Sequence, residues 1–122
     1  MAKHNITGKW GEKLACELLI TKGYSIREQN IRIGHYELDI IATKGNRIIF
    51  IEVKTRSNPS HDPLLSIDQK KILRIARAAN AYVTSHNTPH EVQFDIIIIT
   101  GTPENYNIEH IADSFMAPLT TR

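Results

Sequence analysis

Two apolar runs separated by a short polar turn constrain the fold of this chain more than any other feature. The runs cover residues 36–43 and 47–55, and both are rich in β-branched and aromatic residues. Gly45 and Asn46 lie between them, and such a pair between apolar runs is typical of a β-hairpin. Because most of "IIFIEV" is apolar on both of its sides, we predict that the hairpin lies inside a sheet covered on both faces.

The segments on either side of the hairpin predict two helices. Apolar residues at helical spacing, beginning with Trp10, indicate a helix over residues 8–22. Thr7 is the predicted N-cap of this helix, and Gly23 is its predicted C-terminal stop. A capping box over residues 66–69 indicates the start of a second helix, which ends near Ser85.

The rest of the chain predicts further strands and their connections. Strands are predicted over 24–33, 93–100 and 108–111, with a loop over 57–65 and a turn over 101–107. The second apolar stretch, "IIII" in residues 96–99, again indicates a strand buried on both faces. This order of elements predicts an α/β fold in which a mixed central β-sheet is flanked by helices.

Composition and cysteine content set the class of protein. Of the 122 residues, 41% are hydrophobic and 23% are charged, which is ordinary for one globular domain. We predict that residues 1–116 form a single domain and that 117–122 form a frayed tail. Cys16 is the single cysteine, so no internal disulfide can form, and the six histidines lack zinc spacing. Since we find no signal peptide and no apolar run of membrane-spanning length, we expect a cytoplasmic protein.

Charged residues at the end of the hairpin predict a metal site. Glu52 and Lys54 are two residues apart and therefore project from the same face of their strand. If the turn is a two-residue loop, Asp39 lies directly opposite Glu52, with Cβ atoms about 4.5–5.5 Å apart. Two carboxylates in such a place repel each other, so one must bind a proton or a cation must lie between them. Hard oxygen ligands suit Mg²⁺ or Mn²⁺.

Other interpretations of these charges stay open at this point. A three-residue loop would place Asp39 opposite Ile51 instead and would remove the carboxylate pair. Glu52 and Lys54 also fit an ordinary ion pair on one face of a strand, with Asp39 as a solvated residue. Glu12 lies at the edge of the apolar stripe of the first helix, where glutamates are usually solvated.

The sequence also resembles a known family. The segment "YELDIIATKGNRIIFIEVKTR" resembles the core of the PD-(D/E)XK nuclease superfamily, which includes restriction endonucleases and archaeal Holliday-junction resolvases. More closely, the chain is similar to the YraN-like family of small bacterial proteins. This similarity runs through "GKWGEKLACELLITKGYSIREQNIR", the hairpin, "QKKILRIARAANAYV", "QFDIIII" and "IEHIADSF", which together cover most of the sequence in order.

The resemblance implies a restriction-endonuclease-like core and a set of site residues. Asp39, Glu52 and the backbone carbonyl of Val53 are the implied ligands of Mg²⁺ or Mn²⁺. Lys54 is the implied catalytic lysine, and Glu12 is the implied acidic residue on the helix. The function implied is a metal-dependent nuclease that hydrolyses phosphodiester bonds of DNA, with branched or damaged structures among the expected substrates. The alternative is an inactive nuclease fold that binds nucleic acid or a protein.

This sequence departs from the family pattern at two positions next to Asp39. Leu38 stands where the superfamily motif has a proline, and Tyr36 stands where the family usually has a glycine. If that glycine permits close approach of a substrate, the tyrosine narrows the access. A homodimer is expected only by analogy with junction resolvases, which make two cuts.

Basic residues on the second helix predict a surface for nucleic acid. The formal net charge is only +2, so the layout of the charges has to supply the argument. The predicted phosphate-contacting residues lie along one stripe of the helix, at its apolar edge and after the hairpin: Lys70, Arg74, Arg77, Lys71 and Arg56. The alternative is a solvated helix face. Asp95 lies among apolar residues, and we predict a structural role with buried partners for it.

Overall fold

A computed structural model describes residues 2–58, 69–86 and 91–114, with side chains from Lys9 onward. The elements are α1 (Ala2–Thr21), β1 (Ser25–Ile33), β2 (Tyr36–Lys44), β3 (Arg47–Arg56), α2 (Gln69–Ser85), β4 (Glu91–Thr102) and β5 (Asn105–Ile111). The five strands form one sheet in the order β1-β2-β3-β4-β5. β3 and β4 are parallel and the other neighbours are antiparallel, so the sheet is mixed. The predicted α/β fold is confirmed, and it is consistent with a restriction-endonuclease-like core.

The two helices cover opposite faces of the sheet, which explains why the central strands are apolar on both sides. On one face, α1 packs Ala15 and Leu19 against Ile49 and Ile97. On the other face, α2 packs residues that include Tyr82 against Phe50 and other side chains of β2, β3 and β4. Burial of alternate residues of one strand in two separate cores requires apolar side chains at every position. Neither helix within the described parts of the chain has the length and apolar character needed to cross a bilayer.

The ends of α1 agree with the prediction at one terminus only. Gly23 stops the helix in the left-handed region, with φ of 91°. Its amide donates to Ile20 O at 3.0 Å, and the Tyr24 amide donates to Leu19 O at 2.9 Å, which is a Schellman motif. The N-cap prediction is wrong, because the helix begins at Ala2 and Thr7 lies inside it. The predicted capping box begins at Ser66, which lies outside the described residues. Most of the predicted loop over 57–65 and the predicted C-terminal tail also lie outside them.

The last two strands of the sheet, β4 and β5, are longer than the sequence predicted. β4 continues to Thr102 and β5 begins at Asn105, so the predicted turn over 101–107 is wrong. β5 lies at the edge of the sheet, and the side chains of its first half are exposed. An exposed edge strand buries few side chains and therefore lacks the apolar alternation from which strands are predicted.

Asp95 is the buried charged residue of β4 and is held by four hydrogen bonds. Its side chain lies in the core with 1% of the residue exposed. Oδ2 accepts from the Tyr24 hydroxyl at 2.7 Å and from His110 Nε2 at 2.8 Å. Oδ1 accepts from Gln93 Nε2 and from the Asp113 amide, both at 2.9 Å. These donors come from Tyr24 just before β1, from β4, from β5 and from Asp113 after β5. The carboxylate therefore joins separate parts of the chain, as the predicted structural role requires.

Candidate metal centre

The hairpin has the predicted two-residue turn, but its ladder stops short of the predicted carboxylate pair. Paired residues run from Lys44 opposite Arg47 to Ile40 opposite Ile51. Asp39 of β2 follows this last pair. Its Oδ2 accepts a hydrogen bond from the Val53 amide of β3 at 2.8 Å. The predicted two-residue turn and its register are therefore confirmed as far as Ile40 and Ile51, and the direct pairing of Asp39 with Glu52 stays a prediction.

A break in the strand alternation explains this placement of Asp39. Leu38 and Ile41 belong to the same core under α2, whereas Ile40 belongs to the core under α1. Strict alternation would put Leu38 on the same face as Ile40, so the backbone of β2 changes its phase at Asp39. Asn30 of the neighbouring strand β1 has a left-handed backbone at the same level, with φ of 52°. The carboxylate then takes the place of a backbone acceptor between β2 and β3.

The carboxylates of Asp39 and Glu52 are close enough to repel each other, as the sequence analysis required. Burial, and after it the charge of Glu52, are the main causes that raise the pKa of Asp39 to about 7. The hydrogen bond from the Val53 amide acts in the opposite direction, because it stabilises the ionised form. Glu12 on α1 also adds to the repulsion at Asp39. Three carboxylates from three elements thus influence one another at this end of the hairpin.

Glu52 itself is held by two donors that the sequence analysis did not assign to it. The Lys71 ammonium lies 2.8 Å from Glu52 Oε2, and the two side chains are 22% and 11% exposed. The Tyr36 hydroxyl donates to Glu52 Oε1 at 3.2 Å. Burial and the charge of Glu52 raise the pKa of this phenol, so it remains a donor. Tyr36, which the family pattern marked as a departure, is thus in contact with the centre.

Lys54 and Lys71 are neighbours with opposite tendencies to hold a proton. Burial lowers the pKa of Lys54, and its hydrogen bond with Lys71 and the charge of Lys71 lower it further. Burial also opposes the charge of Lys71, but its hydrogen bonds with Glu52 and Lys54 outweigh this and raise the pKa. Lys71 is therefore the lysine that keeps its proton and its positive charge more firmly. Lys54 is the basic group whose proton is held less firmly.

Lys71 was predicted to contact nucleic acid, and the structure places its ammonium 2.8 Å from Glu52 Oε2. A signal for this was present in the sequence. Lys71 is followed at helical spacing by Ile75, Ala78 and Tyr82, which are buried in the core under α2. A lysine on the apolar stripe of a helix needs a carboxylate partner in the interior or at its edge. The sequence did not identify Glu52 as this partner, because Glu52 lies on β3 and Lys71 on α2.

α1 brings Glu12 towards the hairpin through a close contact at Gly11. Any side chain at Gly11 would collide with Thr55 of β3, so the helix approaches the strand as closely as its backbone permits. Glu12 then accepts a hydrogen bond from Asn30 Nδ2 at 2.8 Å on Oε1, and burial raises its pKa. Among the described side chains, no group of three or more His, Cys, Asp and Glu residues is arranged to hold a metal ion.

The donors present nevertheless fit one hard divalent cation. The carboxylates of Asp39 and Glu52, and the backbone carbonyl of Val53, the residue whose amide binds Asp39, offer oxygen ligands alone, which suits Mg²⁺ or Mn²⁺ rather than a thiolate site. Mg²⁺ keeps several waters and is usually held by one or two carboxylates, so a third protein carboxylate is not needed. A cation at this place would relieve the repulsion that raises the pKa of Asp39.

The basic residues predicted for nucleic acid lie in two different settings. Lys70, Arg74 and Arg77 are exposed on α2. Arg56 is half-buried, and its Nε donates to Thr100 Oγ1 at 2.9 Å. The exposed arginines stand on the same side of the sheet as Lys71, so they flank the centre on that face.

Comparison with known proteins places the chain in a family. The model of the family described as "Uncharacterised protein family UPF0102" matches residues 11–99. The chain belongs to the UPF0102 family. A UPF0102 protein of Bacteroides thetaiotaomicron is 46% identical over 98% of this chain and 99% of its own length. UPF0102 proteins of Christiangramia forsetii and Flavobacterium psychrophilum are 46% and 42% identical, each over 94% of this chain and 98% of their own length.

The UPF0102 match also shows which elements the family model spans. It includes all the side chains of the candidate centre: Glu12, Tyr36, Asp39, Glu52, Lys54 and Lys71. β5 lies beyond its end. The YraN-like similarity inferred from the sequence is thereby confirmed at the level of this family.

Replacement of Lys71 by methionine is expected to raise the affinity for Mg²⁺ and Mn²⁺. Lys71 would compete with a metal for Glu52, because its ammonium lies 2.8 Å from Oε2. Removal of one competing charge at a half-buried site is expected to strengthen metal binding about tenfold at mildly alkaline pH. Titration calorimetry measures the change, and Lys70→Met is the matched control because Lys70 is the exposed neighbour. Equal or weaker metal binding by Lys71→Met than by Lys70→Met would contradict the competition.

Proposed function

We propose that this protein is a metal-dependent nuclease that hydrolyses phosphodiester bonds of DNA. One observation carries the proposal: the half-buried carboxylates of Asp39 and Glu52 share one end of the hairpin, with Lys54 beside them. Structural ion pairs rarely bring together two carboxylates that repel each other, because the repulsion lowers the stability of the fold. Such a cluster is expected where a cation and an anionic substrate must bind. The resemblance to the PD-(D/E)XK superfamily supports the same reaction class.

The residues have distinct roles in the proposed reaction. Asp39, Glu52 and the carbonyl of Val53 would hold the cation, which supplies Lewis-acid activation of the scissile phosphate and of a water when bound. Asp39 is fixed for this task by the Val53 amide. Lys54 would hold the attacking water and stabilise the charge that develops on the phosphate. Lys71 would move from Glu52 to a phosphate oxygen, which keeps a positive charge in the centre at each stage.

The test of this proposal is a cleavage assay with Mg²⁺ or Mn²⁺ over single-stranded, duplex, flap and four-way DNA. The wild type is expected to cut at least one of these substrates, and Glu52→Ala and addition of a chelator are expected to abolish the cut. Glu37→Ala is the matched control, because Glu37 is an exposed glutamate of β2 near the same centre. If the wild type cuts every substrate no faster than Glu52→Ala, the protein is not a nuclease of this kind.

A second candidate function is a binding module that retains the nuclease fold without its chemistry. The observation that favours it is the pairing of both Glu52 oxygens with Lys71 and Tyr36, because this satisfies the carboxylate without a metal. Such a module would hold nucleic acid or a protein on the same face. Metal titration distinguishes the two candidates. Mg²⁺ or Mn²⁺ binding that is lost in Asp39→Asn and Glu52→Gln supports the nuclease, and no binding by the wild type supports the module.

A further inference from the structure

A groove beside the metal centre has no role in the proposed chemistry so far. It lies between the β1–β2 turn and α2 and has a volume of about 650 Å³. Its lining includes Ile33, His35 and Tyr36 from the turn and its flanking strands, and Arg74, Arg77 and Ala78 from the helix. We call this space the turn–helix groove. Gly34 forms the tight end of the turn with φ of 61°, which leaves His35 exposed at its tip.

The turn–helix groove adjoins the candidate metal centre at Tyr36. Tyr36 belongs to both, because its side chain lines the groove and its hydroxyl donates to Glu52 Oε1 at 3.2 Å. Arg74 is close enough to lower the pKa of the Tyr36 phenol, against the larger effects of burial and of Glu52. A nucleic-acid strand whose phosphate lies at the candidate metal centre can therefore continue past Tyr36 into the groove.

The chemistry of the lining fits a nucleic-acid strand. Arg74 and Arg77 are one helical turn apart and exposed, which suits two phosphates along a backbone. His35 and Tyr36 present rings next to the apolar side chains of Ile33 and Ala78, which suits a base that is not stacked in a duplex. Basic groups that follow the backbone together with rings for the bases are the usual means of binding single strands.

The size of the turn–helix groove decides between one strand and two. Its volume lies within the range of small-molecule pockets, about 300–1,000 Å³, so it accommodates about one or two nucleotides. A double helix, whose major groove alone is about 12 Å wide, can lie across the mouth but cannot enter. The cationic lining also argues against an apolar peptide as the occupant, because an apolar peptide would leave both arginines without partners.

We propose that the turn–helix groove binds an unpaired segment of the nucleic-acid strand next to the scissile phosphate. Arg74 and Arg77 hold its phosphates, and His35 and Tyr36 contact its bases. This rests on the proposed nuclease function for its purpose, but the binding itself does not need cleavage. The substrate class that follows is a structure with a single-stranded part, such as a flap, gap or overhang, rather than a continuous duplex.

The test is fluorescence anisotropy in the presence of a chelator, so that no cleavage occurs. The probes are a labelled oligothymidylate, an oligouridylate of the same length and a blunt duplex. The single strands are expected to bind more tightly than the duplex, and the two single-stranded arms decide between DNA and RNA. Arg74→Glu with Arg77→Glu is expected to weaken single-strand binding about tenfold or more and to reduce its salt dependence. Lys13→Glu with Arg47→Glu is the matched control, because it changes the charge equally at exposed sites away from the groove.

His35→Ala separates base contact from charge. The residue is exposed at a turn, so its loss leaves the fold intact, and binding is expected to weaken up to about tenfold for the loss of one base contact. The groove proposal is overturned if the duplex binds as tightly as the single strands, or if the Arg74/Arg77 double variant binds like its control. These outcomes leave the nuclease proposal untouched. Single-strand binding that depends on the arginines, in a protein that cuts no substrate with metal, supports the groove and contradicts the nuclease.

Discussion

Asp39→Asn is expected to abolish metal-dependent cleavage and at the same time to make the fold more stable. The asparagine side chain has nearly the same shape and still accepts the hydrogen bond from the Val53 amide. It lacks the charge that Glu52 repels, so the folded state of the variant is relieved of an unfavourable interaction. The gain in the free energy of unfolding is expected to be on the order of 1–3 kcal/mol above neutral pH. Loss of one of two metal carboxylates is expected to lower cleavage at least about a hundredfold.

The pKa of Asp39 determines how the stability of the wild type changes with pH. The pKa of Asp39 is about 7 in the folded protein and has an ordinary value of 3.8. The folded state therefore holds this proton more firmly than the unfolded state, and protonated Asp39 contributes stability that is fully present below pH 3.8. That contribution is lost as the pH rises through about 7. Asparagine does not titrate, so Asp39→Asn does not lose this stability. The difference in free energy of unfolding between the variant and the wild type therefore grows as the pH rises through this range.

Urea denaturation at a series of pH values and the cleavage assay together check both halves of the expectation. Asp113→Asn is the matched control, because Asp113 is exposed and its left-handed backbone, with φ of 55°, also suits asparagine. Addition of Mg²⁺ is expected to stabilise the wild type, since it binds the folded state, and to leave Asp39→Asn unchanged. A variant that is less stable than the wild type above pH 7, or that cuts at the wild-type rate, would show that Asp39 is a structural residue.

The largest loss of stability is expected for Asp95→Ala. The substitution removes a fully buried carboxylate and leaves the Tyr24 hydroxyl, His110 and the Asp113 amide without their acceptor. Removal of one partner from a buried charged network typically costs about 3–5 kcal/mol, because the remaining polar groups stay buried and unpaired. Asp95→Asn is expected to lose less, since its carbonyl oxygen still accepts. The network joins Tyr24, which precedes β1, to β4, β5 and Asp113, so its loss loosens the contacts between these parts of the chain.

Thermal and urea denaturation measure this effect, with Glu91→Ala as the control on the same strand because Glu91 is exposed. Where Asp95→Ala remains folded, its cleavage rate per folded molecule is expected to match the wild type, because Asp95 faces the core under α1 and its donors rather than the centre. A stability equal to that of Glu91→Ala would mean that the four hydrogen bonds add nothing beyond the cost of burying the charge.

The sequence predicted those features of the fold that depend on neighbours along the chain. Gly45 and Asn46 set the hairpin turn and its register, and Gly23 set the end of α1. The two-sided apolar strands predicted a sheet covered on both faces, which α1 and α2 provide. β5 was underestimated, because an exposed edge strand gains its backbone hydrogen bonds from β4 without burying many of its side chains.

The same distinction between local and tertiary features applies to the candidate site. The sequence by itself determined that Asp39, Glu52 and Lys54 meet at the end of one hairpin, since strand alternation and a two-residue turn depend on local geometry. Only the tertiary structure decided how they meet. The Asp39 carboxylate binds the Val53 amide at the level where Asn30 of β1 has a left-handed backbone, and the packing of α2 on the sheet brings Lys71 beside Glu52. These contacts join residues far apart in the chain, and their geometry follows from how whole elements pack rather than from any local pattern.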